Sequence, residues 1–97
     1  MKIYYYVETQ NGKSNDSLSE STAMVTLEKY GKNMYKYGFK CHWIMGKVTS
    51  NKVDGVWFLK VHVTITNMFG AKHKTIMEGK VSGTDENPNV EYFFVYD

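Results

Sequence analysis

One change of hydrophobic period constrains this chain more than any other feature. Over residues 17–40, SLSESTAMVTLEKYGKNMYKYGFK, the apolar positions Ala23, Leu27, Tyr30, Met34 and Tyr37 recur at i, i+4, i+7, i+11 and i+14. That spacing lays an apolar stripe along one side of an α-helix. Lys29, Lys32 and Lys36 fall on the opposite side. From Phe39 onward the period drops to two, the repeat of a half-buried strand. One helix followed by strands is best buried in two layers, with the helix across one face of a sheet.

The ends of the helix carry signals of their own. Ser17 and Glu20 have the S-x-x-E spacing of a capping box, in which each side chain satisfies an orphan backbone N–H. Gly38, directly after Tyr37, suits a left-handed C-terminal cap. Gly31 is the weak point: inside a helix it costs about 1 kcal/mol relative to alanine, and it marks a place to kink or stop. A rival reading takes residues 22–30 as a strand turning at Gly31, Lys32 and Asn33. Alternation over that window is poorer than the helical stripe.

The strands follow from alternation. Residues 2–9, KIYYYVET, are β-branched and aromatic and read as a strand, with Tyr4 and Tyr6 on one face. The polar run 10–16 is a loop. Residues 39–45 alternate Phe39, Cys41, Trp43 and Met45 against Lys40, His42 and Ile44, and Gly46 then marks a bulge. A loop covers residues 50–55, with Asp54-Gly55 as a hairpin signal. Residues 56–66 form the clearest strand: Trp57, Leu59, Val61, Val63 and Ile65 face one way, and Phe58, Lys60, His62 and Thr64 the other. If Met68, Phe69 and Gly70 form a three-residue hairpin loop, Gly70 takes its left-handed position. Val61 then faces Met77, Val63 faces Thr75, and Lys60 meets Glu78 as a complementary cross-strand pair. Residues 72–82 are the next strand, 83–89 a loop, and 90–96, VEYFFVY, a last strand that is apolar on both faces.

The expected fold is therefore α+β: a single domain over residues 1–97, with one helix on an antiparallel sheet of four to five strands, in the order β-α-β-β-β-β. In element order this resembles the cystatin and monellin architecture. The resemblance implies a fold only, since fold does not carry function.

Composition limits the function classes. A chain of 97 residues, 42% hydrophobic and 23% charged, suffices for one core and is not that of a disordered chain. Its apolar runs are too short to span a membrane, and the run ending at Val7 is too short for a secretory leader. The single cysteine, Cys41, fits a reducing compartment, so the expected location is the cytoplasm. All twelve basic residues other than histidine are lysine. The absence of arginine disfavours bidentate reading of bases and phosphates, and an A+T-rich genome encodes such a composition.

Candidate chemistry is sparse. Gly12-Lys13-Ser14 resembles the end of a phosphate loop but lacks the upstream glycine and spacer. His42 and His62 share the outer face of adjacent strands, yet no carboxylate or thiol completes a metal site with them or with His73. Cys41 and His42 point to opposite faces, which disfavours a nucleophile pair. Glu78 and His62 would make an acid–base pair, but Glu78 has Lys60 as its partner. No enzyme activity, cofactor, metal or membrane contact is expected.

Two binding readings remain. In the alternative reading, Lys29, Lys32, Lys36 and Lys40 track a nucleic-acid backbone without sequence specificity. The main reading rests on fifteen aromatics, more than one small core needs. Alternation puts Tyr4, Tyr6, Phe58 and either Phe93 or the pair Tyr92 and Phe94 on the face away from the helix. Clustered exposed aromatics mark protein-contact surfaces. The expectation is a small non-catalytic binding module that contacts a host protein or pairs as a homodimer. Its size and composition suit a phage or mobile-element inhibitor or adaptor.

Overall fold

The computed structural model describes residues 17–96. The strand expected at residues 2–9 and the Gly12-Lys13-Ser14 loop lie outside the described residues.

Helix α1 (Glu20–Met34) begins at Ser19, whose Oγ accepts a hydrogen bond from the Thr22 N–H at 3.3 Å. Ser19 rather than Ser17 is the cap because Asp85 holds it from a neighbouring loop. Asp85 Oδ1 accepts from the Ser19 N–H at 2.8 Å and from the Ser19 hydroxyl at 3.0 Å. Glu20, the expected second half of the capping box, turns to Lys47 at 2.8 Å and to the Ser50 hydroxyl. The helix closes with the Tyr35 N–H on the Gly31 carbonyl at 2.9 Å, so Gly38 is not its cap.

Residues 22–30 are helical throughout, and the helix passes Gly31 without a break. A Cβ on Gly31 would lie 2.2 Å from Phe39 Cε2, so the missing side chain is the space that ring fills. The buried line is Ala23, Leu27 and Gly31, an i+4 ridge. Tyr30 leans aside onto the Phe93 ring at 4.8 Å, while Met34 and Tyr37 of the expected stripe stand exposed.

Among the described residues the sheet has five antiparallel strands: β1 (Phe39–Cys41), β2 (Lys47–Val53), β3 (Val56–Thr66), β4 (Lys72–Gly83) and β5 (Pro88–Val95). β3 is central, with β4 and then β5 on one side. Its other edge pairs with β1 near Val63 and with β2 from Val61 to Val56. β1 and β2 are thus halves of one edge strand, divided by the single helical turn α2 (Trp43–Gly46).

This corrects the expectation of a continuous strand over 39–45 followed by a loop. Gly46 marks the irregularity for a packing reason. A Cβ there would stand 2.9 Å from His62 Cβ and 3.0 Å from His42 Cβ. The Gly46 N–H instead reaches the His42 carbonyl at 2.6 Å and closes the turn. Trp43 swings toward the helix, where its indole N–H donates to Glu28 Oε1 at 3.1 Å. Residues 47–53, half of which read as loop, return to the edge of β3.

The β3–β4 hairpin has the expected register. Asn67 N–H donates to the Ala71 carbonyl at 2.9 Å, and Gly70 takes φ +83°. Val61 faces Met77, Val63 faces Thr75, and Lys60 faces Glu78. Leu27, Leu59, Val61, Val63, Met77 and Val81 are fully buried between the layers. Each such side chain contributes about 1.5–3 kcal/mol of burial.

Candidate functional site

Alternation within β3, β4 and β5 makes the outer sheet face, away from α1. The register Lys80↔Tyr92 and Glu78↔Phe94 settles the open choice on β5: Tyr92 and Phe94 face outward. Phe93 faces α1, 6.1 Å from the Phe39 ring and against Tyr30. A bulge between Lys80 and Val81 resets the register beside Glu91, whose carboxylate accepts from the Ser82 hydroxyl and from Asn89 Nδ2.

The centre of this face is Glu78. The Tyr92 hydroxyl donates to its Oε2 at 2.8 Å and the Tyr96 hydroxyl to its Oε1 at 2.9 Å, with Lys60 Nζ 4.0 Å away. The Tyr92 hydroxyl first, then Tyr96 and the Lys60 charge, hold the Glu78 carboxyl below its ordinary value against partial desolvation. Lys60 also stands over the Tyr96 ring, 5.1 Å from its centroid. Phe94 meets Tyr96 edge-on at 5.3 Å and stays 48% exposed. The network fixes the two tyrosines and leaves Phe94 with an open face. Glu78 is thereby committed to the tyrosines and Lys60, not to His62.

Phe58 lies on the same face, between Asn51 of β2 and Lys80 of β4. It is half-buried in an open depression with Val53, Val56 and Glu91, rather than standing free. Tyr4 and Tyr6 lie outside the described residues. The aromatic surface among the described residues is therefore centred on β5, with Phe58 at its flank.

The lysines do not form one track. Lys29, Lys32 and Lys36 are exposed on the helix side of the molecule. Lys40 is on the opposite side, because strand alternation buries Phe39 and Cys41 against the helix and turns Lys40 outward beside Thr64.

His42 and His62 are brought together around Gly46, and His42 Nε2 is 2.7 Å from the Thr64 hydroxyl. Among the described residues no three of His, Cys, Asp or Glu gather as a metal cluster. Cys41 is buried on the inner face, where burial first and the Glu28 charge second push its thiol well above the usual range. No helix among the described residues is long and apolar enough to cross a membrane.

The sequence reading missed a second surface, at the end where α1 stops and the β3–β4 hairpin turns. Met34, Tyr35, Tyr37, Ile65, Met68 and Phe69 line an open groove of about 500 Å³. Phe69 is 86% exposed, Met68 64%, Tyr37 63% and Met34 57%. One local signal was present: Met68-Phe69 puts two large apolar residues at a hairpin tip, where polar turn residues are the rule.

No protein-family model matches the chain, and no curated protein or solved structure matches it.

Proposed function

We propose that this chain is a small non-catalytic binding module that acts by protein–protein contact through the outer face of its sheet. The observation that carries the reading is Phe94. It lies on the face the helix does not cover, half exposed, beside tyrosines whose hydroxyls are held by Glu78. A positioned aromatic with an open face loses little entropy on contact, and residues of this kind dominate interface energy. Lys60, Lys80 and Glu91 supply a polar rim around the apolar centre. The small size and lysine-only composition support a phage or mobile-element inhibitor or adaptor of a host protein, working in the cytoplasm. The nucleic-acid alternative is the weaker reading, since Lys40 does not continue the line of Lys29, Lys32 and Lys36.

The test compares Phe94→Ala and Phe58→Ala with the unmodified protein. It uses affinity capture from a host lysate, sedimentation velocity for self-association, and urea unfolding for stability. Either substitution should weaken capture or self-association by about 1 kcal/mol or more, with Phe94 the larger effect. Unchanged capture and unchanged association state in Phe94→Ala would reject the outer face as the contact surface.

A further inference from the structure

The half of the outer sheet face nearer the β3–β4 hairpin tip carries a cluster of lysines. Lys40 of β1 faces Thr64 of β3, and Thr64 faces Lys74 of β4, so two lysines flank one threonine on adjacent strands. Neighbouring strands lie about 4.8 Å apart, which sets the two lysine Cα atoms about 10 Å apart. Lys72 is two residues from Lys74 and faces Thr66 on the same side. Alternation holds all three outward and exposed, while Phe39, Cys41, Val63 and Met77 take the inner face. Beside them is an open depression of about 320 Å³, lined by His42, Met45, Gly46, His62, Val63 and Lys74. The His42 N–H donates to the His62 carbonyl at 2.9 Å, so the two histidines are cross-strand neighbours. Gly46 lies against the Cβ atoms of both, and His42 Nε2 is anchored 2.7 Å from the Thr64 hydroxyl. The depression therefore brings two imidazoles and a thioether beside Lys74, with Lys40 and Lys72 close by.

We propose that this half of the outer face binds single-stranded nucleic acid without sequence specificity. Lys40, Lys72 and Lys74 contact phosphates, and an unpaired base stacks in the depression against the imidazoles and Met45. Lysines along a surface neutralise a phosphate backbone, and histidine rings are among the side chains on which splayed bases stack. With no arginine in the sequence, the bidentate reading of base edges is lost, so the contact follows the backbone. A duplex would meet the lysines but leave the floor of the depression unfilled, its bases being stacked on one another. A glutamate-rich peptide would satisfy the lysines and bring no flat ring to the imidazoles. Glu78, the acidic residue of β4, stands further along this face and is held by Tyr92, Tyr96 and Lys60. The site goes beyond the protein-contact reading and does not depend on it: Phe94 faces Glu78, four residues along β4 from Lys74 and about 13 Å away. Nor does it use Lys29, Lys32 and Lys36, which belong to the helix side of the molecule.

The test uses the full chain and a short fluorescein-labelled oligothymidylate, read by fluorescence anisotropy between about 50 and 200 mM salt. Parallel arms use a labelled DNA duplex of the same length and a labelled glutamate-rich peptide. The oligothymidylate should bind more tightly than either. Lys40→Gln, Lys72→Gln and Lys74→Gln together should reduce the slope of log affinity against log salt by about two units, the loss of three single-strand phosphate contacts. His62→Ala should weaken binding about tenfold and leave that slope unchanged, since it removes a stacking face rather than a phosphate contact. Lys29→Gln with Lys32→Gln and Lys36→Gln, and separately Phe94→Ala, should leave oligothymidylate binding as it was. The substituted lysines and His62 are exposed, and circular dichroism confirms that each variant folds. The proposal is overturned if the oligothymidylate does not bind at the lowest salt, or if the duplex or the peptide binds as tightly. It is also overturned if the Lys40, Lys72 and Lys74 variant keeps the parental slope, if His62→Ala keeps the parental affinity, or if the helix-lysine variant or Phe94→Ala removes binding instead.

Discussion

The Phe39 ring occupies the place of the side chain that Gly31 lacks, with Cε2 2.2 Å from where a Cβ would stand. Gly31→Ala gains about 1 kcal/mol of helix propensity and meets an overpacking cost of about 1–3 kcal/mol. A net loss of stability is expected in urea unfolding. Phe39→Leu, which shortens the ring side chain, should make the alanine at residue 31 better tolerated. A single Gly31→Ala variant more stable than the parent would show that the ring moves aside freely.

Lys60 and Glu78 face each other across β3 and β4 on an open surface. Lys60→Glu should lower the urea midpoint by placing like charges opposite. Adding Glu78→Lys should recover only part of the loss, because the new lysine cannot accept the two tyrosine hydroxyls. Full recovery would mean that those hydroxyls contribute nothing.

Acidification should weaken the fold through the same carboxylate. Glu78 and Glu20 both titrate below their ordinary values when folded, Glu78 chiefly through Tyr92 and Glu20 chiefly through Lys47. A depressed folded value gives stability that is fully present above the unfolded value, about 4.3, and is lost as pH falls through the folded one. Stability should therefore decline on acidification below about pH 5. Tyr92→Phe should move the Glu78 midpoint upward in a side-chain carboxyl NMR titration. An unmoved midpoint would remove the hydroxyl as the cause.

The Cys41 thiol is shielded and held protonated. Iodoacetamide at mildly alkaline pH should leave the native protein unmodified over a time in which the urea-unfolded chain reacts fully. Native-state labelling at the unfolded rate would place Cys41 outside the core.

What the sequence made legible was set by the range of the interactions involved. The hairpin register was readable because Gly70 and the facing pair Lys60 and Glu78 lie within one turn and its arms. The first half of the helical stripe held at Ala23 and Leu27. It failed at Met34 and Tyr37 because burial there depends on where the sheet ends, which no helical period encodes. Gly31 read as a flaw because Phe39, its reason, belongs to another element. The α2 turn was illegible for a similar cause: Gly46 is wedged against His62, a residue of a different strand. The aromatic face was half visible. Alternation found Phe58, but only the bulge at Glu91 and the pairing with β4 decide that Tyr92 and Phe94, not Phe93, face outward.

Because β3 is bonded along both edges, its amides are sheltered in a way those of the edge strands are not. Fraying of β5 leaves β3 untouched, and release of α2 frees only a short length of its rim. The His62 carbonyl and the Thr66 N–H turn to the split edge strand, so the Val61 N–H between them turns to β4, and deuterium should reach it only when the pairing of β3 with β4 opens. The exchange rate at that one position then measures the parting of the two longest strands. A ligand that bridges the two arms of the β3–β4 hairpin, and is lost when they part, would slow exchange at Val61 by a factor of one plus the free ligand concentration over Kd.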